Sequence, residues 1–185
     1  TLLTSALLAA ASRQLPLPDF AGSAAANPLW RHGIAAFGEP KYPSNFTHFD
    51  YVNVKAPKGG MARQIALGTY DNFNVTVAGV KGLIAAGIEY IHNSLMVAAL
   101  DEVSSEYGLI AESITYPEDL SSVSFRLRPQ AKWHDGTSIT PEDVIFSFEA
   151  FKKLSPRAAS DYRHVTKAEK SGDREVTFSF DTAGH

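Results

Sequence analysis

A chain of 185 residues has room for one domain of ordinary size, or one and a fraction. Apolar residues make up 44% and charged residues 20%, which excludes a disordered or collagen-like chain. A net charge of −3 gives no case for nucleic acid, and the absence of cysteine removes disulfides, thiolate metal sites and a cysteine nucleophile. No lipid anchor on an N-terminal cysteine is expected, and no apolar run reaches the roughly 18 residues of a membrane span.

Leu2 to Ala11 form a short apolar core of signal-peptide length, and Ser23 to Ala26 offer small residues for cleavage. Residues 1–26 are therefore expected to be an export signal lacking its start, with the product free in a periplasm. Neither an initiator Met nor a basic segment precedes Thr1, and the polar stretch Ser12 to Asp19 is unusually long. The alternative is an amphipathic helix of the mature fold, which Pro16 and Pro18 would break early.

Residues 27–60 mix Gly, Pro, Asn and aromatics, and predict an extended arm whose rings pack onto the domain beginning at residue 61. Pro57 to Gly60 reads as a turn, Met61 to Leu67 as a first strand and Gly68 to Asn74 as a loop. Ile88, Ile91, Leu95 and Ala99 share a helical spacing and predict a helix over 88–99. Glu106 to Ala111 reads as a loop.

Val123, Phe125 and Leu127 alternate with Ser124, Arg126 and Arg128, the period of a strand with one buried face. Trp133-His134-Asp135-Gly136 is turn chemistry, because Gly tolerates positive φ and Asp can bond its own backbone. Thr140-Pro141-Glu142-Asp143 predicts a helix start: a capping hydroxyl, a proline suited to the first helical position, and two acids facing the helix dipole. Val144, Phe148 and Phe151 supply its apolar stripe, and Ser155-Pro156 closes it. Val176, Phe178 and Phe180 alternate as a last strand after a hairpin turn at Ser171-Gly172-Asp173.

The run Leu127-Arg128, Trp133 to Gly136, Thr140, Asp143-Val144 and Ser147, with Ala111-Glu112-Ser113 upstream, resembles the signature of family 5 extracellular solute-binding proteins. These are the oligopeptide, dipeptide and nickel receptors of ABC importers. The arm from His32 to Asn53, followed by Ala56 to Gly60, looks like the branch linked to uptake of microcin C and murein-derived peptides. The resemblance implies an α/β fold of class II type, with a mixed sheet, flanking helices and two lobes. It covers only the N-terminal portion of such a receptor, so residues 61–185 are expected to form part of the first lobe.

Chemistry read from the residues is sparse. None of the six histidines (His32, His48, His92, His134, His164, His185) lies at ligand spacing from another, so no metal or other cofactor is expected. No nucleophile elbow or triad pattern occurs, Glu142 and Asp143 read as capping acids, and Trp133 reads as an anchor of its turn rather than a stacking platform. A receptor for varied peptides must grip their shared backbone, and residues 72–84 suit that task through β-branched side chains and Gly79 and Gly82. The resemblance places the first lobe's cleft contacts at Asn72, Phe73, Asn74, Lys81, Gly82 and Leu83. An ordinary surface loop, with Lys81 simply solvated, is the competing reading. The expected function is capture of oligopeptides for an ABC permease by a monomeric, non-catalytic receptor. A periplasmic peptide- or murein-processing enzyme and a fragment without ligand activity are the alternatives.

Overall fold

The computed structural model describes residues 29–61, 63–77 and 82–182. The expected export signal therefore lies outside the described residues. Two antiparallel sheets and a pair of helices make up the regular structure. The first sheet has the order β1-β3-β2, from β1 (Gly33–Ala35), β2 (Met96–Ala98) and β3 (Ser105–Gly108). The second has the order β4-β5-β7-β6, from β4 (Ala111–Thr115), β5 (Ser122–Leu127), β6 (Val165–Gly172) and β7 (Glu175–Phe180). Helices α1 (Pro141–Leu154) and α2 (Pro156–Asp161) connect β5 to β6.

Sheet with flanking helices is the expected combination, but every strand pairing inside the two sheets is antiparallel. Short connections such as Asp173-Arg174 between β6 and β7 allow only that direction, since parallel neighbours need a long crossover. The one parallel pairing among the described residues is an isolated bridge, Asn72 to Ile84.

The strand read from Val123 is β5, and its alternation serves a shared core. Phe125 meets Phe178 of β7 edge-on at 6.0 Å, and Phe178 meets Phe148 of α1 at 5.2 Å. Val144, Ile145 and Phe148 bring the helix stripe onto Val165, Val176 and Phe178. Arg126 pairs with Glu175 at 2.8 Å on the other face and lays its guanidinium 4.1 Å from the ring centre of Trp30. Residues 165–172, which carry no strong apolar period, become edge strand β6 because they pair with β7. Their Lys167, Glu169 and Lys170 keep that edge charged, which discourages pairing with another chain.

Three expectations fail. Met61 to Leu67 is not a strand: Ile65 is 95% and Leu67 fully exposed, and no ladder reaches them among the described residues. A strand pattern without a partner cannot satisfy its backbone by itself. The helix expected over 88–99 is a single 3-10 turn, Ile88–Ile91, followed by β2. Gly87 enters it at φ 87° with no side-chain cap, and pairing of Met96 and Val97 with β3 outweighs a spacing that fits either element. The expected loop over 106–111 is instead β3 and the start of β4. Tyr107 and Ala111 are fully buried there, which a solvent loop does not do.

Three rings of the arm pack onto β3, while Phe37 stays 82% exposed. Tyr42, Phe46 and Phe49 surround Tyr107 with ring centres 5.1–5.6 Å apart, and His32 adds a fourth ring at 5.9 Å. Polar bonds fasten the same contact. The Tyr42 hydroxyl donates to Asp101 at 2.6 Å, and Lys41 Nζ lies 2.5 Å from Asp101 and 2.8 Å from Asp50. Lys41 first, then the Tyr42 hydroxyl, hold the Asp101 carboxyl below its ordinary range. Because folding lowers that pKa, the contribution is complete above the unfolded carboxylate's value of about 3.9 and is lost as pH falls through the folded value. Melting temperatures should therefore show Asp101→Asn trailing the parent clearly at pH 7, with the gap narrowing as pH falls below about 3.9. A gap that did not narrow there would contradict the assignment.

Candidate functional site

Five of the six predicted contact residues are described, and they lie on two segments bonded to each other. Asp71 and Asn72 donate their backbone N–H groups to the Leu83 carbonyl at 2.9 and 3.3 Å, and Ala85 N–H donates to the Asn72 carbonyl at 3.0 Å. The Asp71 carboxylate accepts from Leu83 N–H at 2.9 Å and from Asn72 Nδ2 at 2.7 Å. Asn72 and Asn74 then cap the backbone N–H groups of Asn74 and Thr76, each at 3.0 Å, which starts the 3-10 turn Val75–Val77.

This wiring brings Asn72, Phe73 and Asn74 beside Gly82 and Leu83. Lys81 lies outside the described residues, as does Gly79. Phe73 is 62% exposed with Tyr70 at 5.4 Å between ring centres, and Leu83 is 57% exposed. Gly82 holds φ at 71°, and a Cβ there would stand 2.2 Å from Asp71 Oδ1. Glycine is thus required by the carboxylate that closes the loop, a reason beyond the backbone approach inferred from sequence. The result is a locally ordered backbone with apolar and amide side chains facing solvent.

A concavity of about 640 Å³ lies apart from this loop, between the segment Ile91–Leu95 and the start of α1. Leu95, Leu109, Ile110, Ile139 and Val144 form its apolar wall, while Arg128, Lys132 and His134 line it with polar ends. None of the described contact residues lines it. Trp133 does, and is 42% exposed, although sequence reasoning cast it as a turn anchor. It is an anchor as well. Its indole N–H donates to Asp143 Oδ2 at 3.3 Å, and its backbone closes the turn through Gly136 N–H at 3.0 Å and the Thr137 carbonyl at 2.8 Å.

Asp143 thereby joins the turn to the helix. Its carboxylate also accepts from Thr140 N–H and the Thr140 hydroxyl, both at 2.8 Å, while the Thr140 hydroxyl accepts from Asp143 N–H. These bonds, led by the Thr140 backbone N–H, lower the Asp143 pKa. Asp135 similarly takes Thr137 N–H and its hydroxyl, at 2.9 and 2.7 Å. Asp135 and Asp143 are therefore occupied in folding the turn and capping α1, as the sequence suggests, while Glu142, also read as a capping acid, pairs with Lys170 of β6 at 2.8 Å. Thr140→Ala should cost about 1 kcal/mol of stability, visible as a lower denaturant midpoint with an unchanged slope. No shift in midpoint would remove the cap from the account.

Among the described residues no group of three or more His, Asp or Glu side chains converges to hold a metal.

With this geometry in place, comparison with known proteins defines the class. Residues 107–185 match the family described as "Bacterial extracellular solute-binding proteins, family 5 Middle". The chain belongs to that family of solute-binding proteins. It is 50% identical over 175 residues to the probable peptide-binding protein YejA of Agrobacterium fabrum, covering 95% of this chain and 28% of that protein. It is 40% identical over 185 residues to the peptidoglycan-binding protein YepA of the same organism, covering 96% of this chain and 29% of the relative. Among solved structures, the oligopeptide-binding protein AppA of Bacillus subtilis, in complex with a nonapeptide, is 28% identical with a TM-score of 0.42, covering 49% of this chain and 18% of that one. The chain thus spans less than a third of the length of these curated relatives.

Proposed function

We propose that this chain contributes to a periplasmic receptor that captures oligopeptides and delivers them to an ABC permease. Residues 1–26 serve as its export signal, 27–60 as the arm and 61–185 as part of the first lobe. The observation that carries this reading is 50% identity, across 95% of the chain, to a relative named as a probable peptide-binding protein. The loop of Asn72, Phe73, Asn74, Gly82 and Leu83 supports it by offering ordered backbone with exposed side chains, and Lys81 belongs to the same segment. Peptide would pair with that backbone, so recognition depends on groups common to all peptides. Closure of a second lobe follows because only the closed form touches the ligand from both sides. The receptor acts as a monomer, and no bond in the ligand is made or broken.

Calorimetry of the complete protein with labelled tripeptides to pentapeptides tests the reading. Stoichiometric binding with the peptides recovered intact is expected. Cleaved peptide would replace the receptor with an enzyme, and an absence of binding to every peptide in the set would end the proposal.

A further inference from the structure

The concavity beside Trp133 is built for a ligand that is apolar at one end and anionic at the other. Leu95, Leu109, Ile110, Ile139 and Val144 give it an aliphatic wall, its volume of about 640 Å³ falls within the range of small-molecule sites, and Arg128 and Lys132 both line it. Among the described residues neither Arg128 nor Lys132 has a carboxylate partner. Arg128 is held in place all the same, since Nε and Nη2 donate to the carbonyls of Leu109 and Gly108 at 2.8 and 3.0 Å. The backbone of Lys132 is set by the bridge to Ser138 that closes the Trp133 turn, and the residue is exposed. The acid of the cavity, Asp143, already accepts from Thr140 and Trp133. With Arg128 and Lys132 against the single carboxylate of Asp143, the described lining carries one positive charge in excess, beside apolar surface.

We propose that this groove is a second binding site, distinct from the 72–83 loop, for a carboxylate carrying an apolar chain. The peptide-receptor reading suggests the source: the C-terminal end of an apolar peptide, its last side chains against Leu95, Ile139 and Val144 and its carboxylate at Lys132. Charge-assisted hydrogen bonds in so apolar a setting are strong enough to select the acid over its neutral amide. The Trp133 ring, tethered at its N–H, forms part of the wall and reports occupancy.

Fluorine NMR of the complete protein labelled with fluorotryptophan provides the readout, with the Trp133 line assigned through Trp133→Phe. Acetyl-Leu-Leu acid is expected to shift that line saturably. Its C-terminal amide, and the acid added to Lys132→Met, should bind on the order of tenfold more weakly, the loss of one charge-assisted bond. Hexanoate separates the sources: binding as tight as the dipeptide acid identifies a general site for apolar carboxylates, and weaker binding identifies a peptide end. Equal affinity for acid and amide, or no effect of Lys132→Met, overturns the proposal. A Trp133 line that a soluble paramagnetic agent cannot broaden also overturns it, because the polypeptide itself would then fill the groove. Longer peptides that bind without touching this line sink the groove and leave the peptide receptor standing. Hexanoate binding without peptide binding does the reverse.

Discussion

Replacing Tyr107 by Ala should lower stability by about 3–5 kcal/mol, the range for a large aromatic removed from a packed core. Tyr107 is fully buried at the centre of β3, with arm rings on one side and the sheet on the other. Its hydroxyl accepts from Tyr42 N–H at 3.0 Å and donates to Glu102 Oε1 at 2.6 Å. Burial first, and the Glu102 bond second, push its pKa up to about 12, so the phenol stays protonated at every ordinary pH. Tyr107→Phe keeps the ring and loses both bonds, leaving Tyr42 N–H buried without an acceptor, so it should cost about 1–3 kcal/mol. Chemical denaturation of the three proteins measures both steps. If Tyr107→Ala cost no more than Tyr107→Phe, the arm would not be packed on this ring. Gly33 belongs to the same construction: a Cβ there would lie 2.8 Å from the Glu106 carbonyl and 2.9 Å from the Tyr107 ring. The strand opposite the tyrosine must be bare for the ring to lie across it.

Gly82→Val should leave the melting temperature nearly unchanged while weakening peptide binding at least about tenfold, an energy near 1.4 kcal/mol. A side chain at φ 71° costs on the order of 1–2 kcal/mol in backbone conformation alone. Here its Cβ would also stand 2.2 Å from Asp71 Oδ1 and 2.7 Å from Asn72 Nδ2. Relieving that overlap swings the Asp71 carboxylate off the Leu83 N–H, which loosens the hold that keeps Asn72 and Asn74 beside Leu83. Because these residues are largely exposed, the fold loses little core when the loop opens. Calorimetry with the peptides used for the parent, beside a thermal melt, distinguishes the effects. Unaltered affinity with an intact melt would remove the 72–83 loop from the binding surface.

Sequence by itself determined the elements whose causes are local. Strand β5 follows from alternation, the Trp133 turn from Asp-Gly chemistry, and α1 from a cap, a proline and two acids within four consecutive residues, and all three stand in the structure. The aromatic arm was legible too, because so many rings in a Gly- and Pro-rich stretch need a surface to cover. Tertiary structure decided what depends on a distant partner. Met61 to Leu67 and Met96 to Ala98 have comparable strand-forming residues, yet only the second finds β3 beside it. Asp71 carries no signal until Leu83 returns to it, and the groove beside Trp133 exists only where Leu95, Leu109 and Val144 converge. Hydrogen-bond partners, and the hollows between elements, belong to pairs of segments far apart in the chain, whereas caps, turns and periodicity are written within a few neighbouring residues.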